Sequence, residues 1–234
     1  MRTTTTLILA ILAASFATSA PASAGGISRE TAKEKLGQNI ERVRELMNSN
    51  PEEMGEILGW DMARPIGDDP KVLALCDEVI LKSTNPASAL RAVGAVQTIM
   101  TFHDKKISRQ HRRRAIVGVL EHGLANKNLI VQLQAADGYR LLDRKEMARA
   151  YIRIFQTPGL QVDDDDVRWS MILGVKRLFD NMNANASSAI KAVTDRYDLL
   201  GFFERSVQEG RFRGTKEDNE RLLHRWRGIL QEAK

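Results

Sequence analysis

The residues best suited to chemistry in this chain are cations. Between His103 and Arg114 (HDKKISRQHRRR) stand Lys105, Lys106, Arg109, Arg112, Arg113 and Arg114, opposed by one acid, Asp104. If a helix starts near Ser108, Arg109, Arg112 and Arg113 share a face, because residues three and four apart are neighbours on a helix. Cations there oppose the positive end of the helix dipole, each at a cost on the order of a few tenths of a kcal/mol. Such a run suits an anionic partner: a lipid headgroup, a polysaccharide or an acidic protein surface. A solvated face balanced by Glu121 or by the acids at 163–166 is the plainer reading of the same run. Lys105, Lys106, Arg109, Arg112 and Arg113 are the candidate contacts.

Other reactive residue types fall short of a site. Four consecutive aspartates, Asp163 to Asp166, lack the alternation and the glycine turn of a calcium loop, so a helix cap is the expected role. The histidines, His103, His111, His122 and His224, form neither H-x-x-x-H nor H-E-x-x-H. On one helix, His111 and His122 would stand about 16 Å apart, too far to share a metal. Cys76 is the single cysteine, set in an apolar run (VLALCDEVIL), and an inert buried thiol is expected. No G-x-S-x-G, supported S-x-x-K set or phosphate-binding glycine loop is present, and Ser28, Ser108 and Ser187 sit where helix caps belong. Carboxylates abound, but nothing marks a pair for glycoside chemistry. No catalytic, cofactor or metal residue is assigned.

The elements that position these residues begin after a leader. Arg2, the apolar stretch Leu7 to Phe16 and Ala22-Ser23-Ala24 have the layout of a secretory signal peptide cleaved after Ala24. The expected product is periplasmic or secreted, with no transmembrane anchor left. The chain carries 35 basic and 30 acidic residues, a net charge of +5, which permits an anionic partner without requiring one. Nucleic acid is not an expected partner outside the cell.

Helical periodicity then runs through the chain. Ser28 caps a helix to about Met47 with Leu36, Ile40, Val43 and Met47 inward, and Asn50-Pro51 opens a short second helix. Gly59 to Asp69 reads as a loop, and Asp69-Pro70 starts a helix to about Lys82. Three segments then share one pattern, counted from Ser88, Val131 and Val167. Positions +4 and +5 are Ala92-Val93, Ala135-Ala136 and Met171-Ile172, +7 is Ala95, Gly138 and Gly174, and +11 is Ile99, Leu142 and Leu178. These offsets trace one helix face, with a small residue at +7 where a neighbour approaches closely. The starts are 43 and 36 residues apart, which suits one helical hairpin per unit. A further helix is expected from Ser187 or Ser188 through Leu200, and a last one, capped by Thr215, carries Leu222, Leu223, Trp226 and Leu230. Trp169, at +2 of the third repeat helix, lies off the inward stripe and is a candidate interface anchor, with packing against the adjoining hairpin as the plainer reading.

Residues 128 to 155 (NLIVQLQAADGYRLLDRKEMARAYIRIF) resemble a HEAT-type repeat through Val131, Ala135, Ala136, Leu142 and Asp143. Val167-Arg168 resembles the same family's opening, although Met171-Ile172 replaces the paired alanines and Ser88 replaces the first valine. The resemblance spans about residues 85–179. It implies an all-α, short HEAT-like superhelix of stacked hairpins, and a compact helical bundle is the alternative. The expected layout is one domain over 25–234, with N-terminal cap helices (25–84), repeats (85–205) and a C-terminal cap helix (206–234). The expected function is an exported, non-enzymatic scaffold binding another protein of the cell envelope. The alternatives are an envelope hydrolase with unidentified carboxylates, or a binder of anionic polymer or lipid through 105–114.

Overall fold

The computed structural model describes residues 27–107, 110–162, 164–211 and 215–231, and among these the side chains of all but 104–107 and 110–112. The expected signal peptide, the helix start at Ser108, Asp163 and residues 212–214 lie outside them. The described residues are helical throughout, with no strand, as the periodicity requires. They fall into two compact units that divide between Leu142 and Asp143. The division lies in the turn between the two helices of the 128–155 segment.

The first unit contains α1 (Arg29–Glu34), α2 (Leu36–Leu46), α3 (Pro51–Glu56), a π-helical stretch (Ile57–Ala63), α4 (Arg64–Ile66), α5 (Pro70–Lys82), α6 (Pro86–Ile107), α7 (Gln110–Leu124) and α8 (Leu129–Gly138). Its caps are largely those the sequence announces. Ser28 accepts from the Thr31 amide, Asn50 from Glu53, Asp69 from Lys71, and Asn128 from Ile130. The first expected helix is broken at Lys35, and Leu46 rather than Met47 is buried with Leu36 and Val43. From α5 to α8, each helix packs on the next and on the next but one.

The main departure from expectation lies at Gly59 to Asp69, which is helical as far as Ile66 and a turn only from Gly67 on. Glycines and a proline disguise a buried stripe of Leu58, Met62, Ala63 and Ile66, and that burial outweighs local propensity. The helix is widened into π geometry just before Pro65, a residue with no amide hydrogen to donate. Its last four carbonyls, orphaned at any helix end, all find donors. Nε2 of His103 lies 2.9 Å from the Arg64 oxygen and 3.2 Å from that of Ala63. Arg29 reaches the Pro65 oxygen at 2.9 Å, and the Asp69 amide reaches Ile66 at 2.7 Å. Because carbonyls only accept, Nε2 of His103 carries the proton. Helix α6 runs on to Ile107, with a non-helical step at His103 (φ −122°, ψ 19°).

The second unit contains α9 (Arg144–Gln156), α10 (Asp165–Phe179), α11 (Ala184–Tyr197), α12 (Leu199–Gln208) and α13 (Lys216–Gln231), and again each helix packs on its next and next-but-one neighbours. Asp143 caps α9 through the Lys145 amide, and Asp164 caps α10 through the Val167 amide. Helix α11 starts at Ala184, earlier than Ser187, because Asn183 accepts from the Ala186 amide. It ends at Asp198, whose φ of 49° separates it from α12. Trp226 of α13 is fully buried beside Phe179 and Phe203, and its Nε1 donates to Thr194 Oγ1 at 2.8 Å.

The two glycines at +7 sit at close approaches. A Cβ on Gly138 would lie 2.8 Å from Leu120 Cδ2, and one on Gly174 would lie 2.6 Å from Tyr151 Cε1. Both contacts are closer than real Cβ atoms tolerate, so the space is taken by neighbouring side chains.

Candidate functional site

Of the five basic candidates, Lys105, Lys106, Arg109 and Arg112 fall outside the residues whose side chains are described. Arg113 is exposed, with its guanidinium 3.4 Å from the Leu142 carbonyl oxygen. Arg114 is exposed beside it. Trp169 is half-buried and meets Phe202 edge-on, with ring centroids 5.1 Å apart, so part of its surface is used in packing.

The structure draws together three residues that the sequence pattern did not connect. Trp60, in the π-helical stretch, and Phe102, near the end of α6, are 47% and 56% exposed. Arg64 meets both, its Cζ 4.8 Å from the Trp60 ring centroid and 5.1 Å from that of Phe102. The side chain of Arg64 has no hydrogen bond or ion pair among the described residues. At these distances the guanidinium is in cation–π contact with both rings. Reading 59–69 as a loop hid this cluster. The usable signal was Trp60 and Arg64 standing four residues apart.

Behind the cluster, the first unit is pinned by Arg29. Its two terminal nitrogens donate to the two oxygens of Asp68 at 2.7 and 2.8 Å, and Nδ1 of His103 lies 3.7 Å from the same carboxylate. Paired hydrogen bonds of this kind fix orientation as well as charge.

An open groove of about 510 Å³ runs between α5 and α7. Leu73, Ala74, Ala115, Gly118 and Val119 supply its apolar and small surface, and Asp68, Asp69 and Asp77 supply carboxylates. Asp77 Oδ1 lies 2.6 Å from His122 Nδ1. In the second unit, a more open depression of about 550 Å³ is lined by Arg149, Arg153, Gln156, Asn183 and Asn185.

Hydrogen bonding to Arg44, with help from Lys82, holds the Glu78 carboxyl below its ordinary range. Partial burial, then the charges of Asp164 and Asp165, push Asp166 up. Burial raises the Cys76 thiol to about 12, which leaves it without thiolate character at neutral pH. Among the described residues no group of three His, Cys, Asp or Glu side chains could hold a metal ion. None of their helices is long and apolar enough to cross a membrane. No family model, curated protein or solved structure matches the chain.

Proposed function

We propose that the chain is an exported, non-enzymatic interaction module of the cell envelope, built from HEAT-like helical hairpins, that holds a segment of another protein. The observation that carries this reading is the open groove between α5 and α7. Its small and apolar floor suits an apolar helix face, and Asp69 and Asp77 suit basic residues flanking that face, Asp68 being held by Arg29. Broad open surfaces are the form expected of a binding module, whereas an envelope hydrolase would draw two carboxylates into an enclosed pocket. The leader-like N-terminus favours an encounter outside the cytoplasm, and an N-terminus at Gly25 on the protein recovered from cells is the expected outcome.

The reading is tested by placing a photo-crosslinking residue at Ala74 or Ala115, both exposed at the groove, with Glu217 of α13 as control. One discrete protein adduct from the two groove positions, absent at the control and lost when Asp77 becomes Lys, is expected. No adduct, or the same set of adducts from all three positions, would remove the groove from consideration.

A further inference from the structure

We propose that Glu56, Trp60 and Arg64 form a self-complementary face on which a second copy of this chain docks, the two helices antiparallel about a two-fold axis at Trp60. The three residues stand four apart in the unbroken helical run from Pro51 to Ile66, so they fall along one side of it. Arg64 Cζ lies 4.8 Å from the Trp60 ring centroid, as that placement requires. Glu56 is exposed, Trp60 is about half exposed, and so is Phe102 of α6, whose ring centroid lies 5.1 Å from Arg64 Cζ. The line therefore reads acid, ring, cation. Its two charged ends, about two turns apart, are too distant to pair with each other. Neither side chain has a hydrogen bond or ion pair among the described residues.

A two-fold axis at Trp60 answers both charges at once. Between antiparallel copies, a residue four before the axis faces one four after it. Each Glu56 then meets Arg64 of the other copy, and the two Trp60 rings meet at the centre. A parallel pairing would instead set Glu56 against Glu56 and Arg64 against Arg64. A central indole with arginine beside it is the composition of an interface hot spot. Gly59, next to Trp60, fits the same contact: an added Cβ there would meet nothing of this chain, so bare helix backbone is open to a close neighbour. An acidic segment of a different protein would answer Arg64 and leave Glu56 unanswered. The face shares no residue with the groove between α5 and α7, so it stands or falls apart from the protein-binding reading.

The test follows sedimentation velocity over a concentration series of the protein recovered from cells, its N-terminus established by intact mass. The parent is expected to dimerise reversibly with a dissociation constant on the order of ten micromolar, as suits a contact of small area. Glu56→Lys and Arg64→Glu are each expected to weaken association about tenfold or more, because each sets like charges opposite one another twice. An equimolar mixture of these two variants is expected to regain the parent's association, since both contacts across the axis are then of opposite sign. Trp60→Ala is expected to abolish association. Thermal melts close to the parent's show that the variants are folded, and recovery in the mixture shows it again for the charge variants. A parent that stays monomeric throughout the series would overturn the proposal. So would a dimer unchanged in both charge variants, or a mixture no more associated than its parts. A monomeric parent that crosslinks from position 60 to a different protein would reassign the face to that partner.

Discussion

Two carboxyls of opposite tendency make the clearest predictions at the scale of single residues. Glu78 is held ionised by Arg44 at 2.9 Å and Lys82 at 3.2 Å. Its depressed folded pKa means that its contribution is present above the unfolded value and is lost as pH falls through the folded one. Glu78→Gln should therefore lower stability near neutral pH by roughly half a kcal/mol, after allowance for solvent screening. Its urea midpoint should converge with the parent's in acid. Asp166 behaves in reverse, because its folded pKa is raised and its ionised form opposes folding. Asp166→Asn should stabilise the protein near neutral pH by a similar, roughly half a kcal/mol amount, and the gain should disappear below the unfolded pKa. Paired urea titrations at neutral and acid pH check both signs. The capping role of the aspartate run was legible in the sequence, since a helix start needs an acceptor for its free amides. That Asp166 would be driven upward was not, because the first cause is burial, which a local pattern does not announce.

At the scale of elements, close approach decides which positions tolerate change. Gly67 packs against the Ala63 carbonyl oxygen, and an added Cβ would also meet Ile99 Cγ1 at 2.8 Å. Gly67→Ala is expected to cost about 1–3 kcal/mol, because backbone has to move. Gly174→Ala meets the rings of Tyr151 and Phe155 instead, and a cost of about 1–2 kcal/mol is expected as they shift. Thermal melts of the two variants measure these losses, with Gly118→Ala, where an added Cβ meets nothing, as the neutral comparison. Gly174 was legible because its spacing repeats that of Ala95 and Gly138. The importance of Gly67 was not, because it depends on a contact with α6 that no local pattern announces. The same blindness turned 59–69 into a loop: turn-forming residue types were read, and the stripe of Leu58, Met62 and Ile66 beneath them was passed over.

For the whole chain, periodicity and caps were enough to give an all-helical protein and most helix starts. What they could not give was the partition of the described residues at Leu142 and Asp143, since both sides of that point carry helical patterns of the same kind. Each unit holds its own reporter. Cys76 is fully buried in the first, so alkylation by iodoacetamide should be negligible in the native protein at neutral pH and complete in denaturant, as read by mass. Trp226 anchors α13 in the second. Trp226→Phe removes the donor to Thr194 and part of the ring contact with Phe179 and Phe203, and a loss of about 1–3 kcal/mol is expected by urea denaturation. Rapid alkylation of Cys76 in the native protein would show that the first unit opens far more readily than its packing implies.

The wide turn at Ile57–Ala63 makes outward facing a matter of chain length. An α-helical turn takes 3.6 residues, and a π turn holds one more in its hydrogen-bonded loop. Removing one residue, Gly59 for instance, would let the ordinary register resume and rotate the helix before the cut by about 100° relative to the helix after it. Leu58 would turn away from the interior while Arg64 kept its place beside Phe102. A length change of one amino acid would thus disconnect the surface from its support without altering any side chain that forms it.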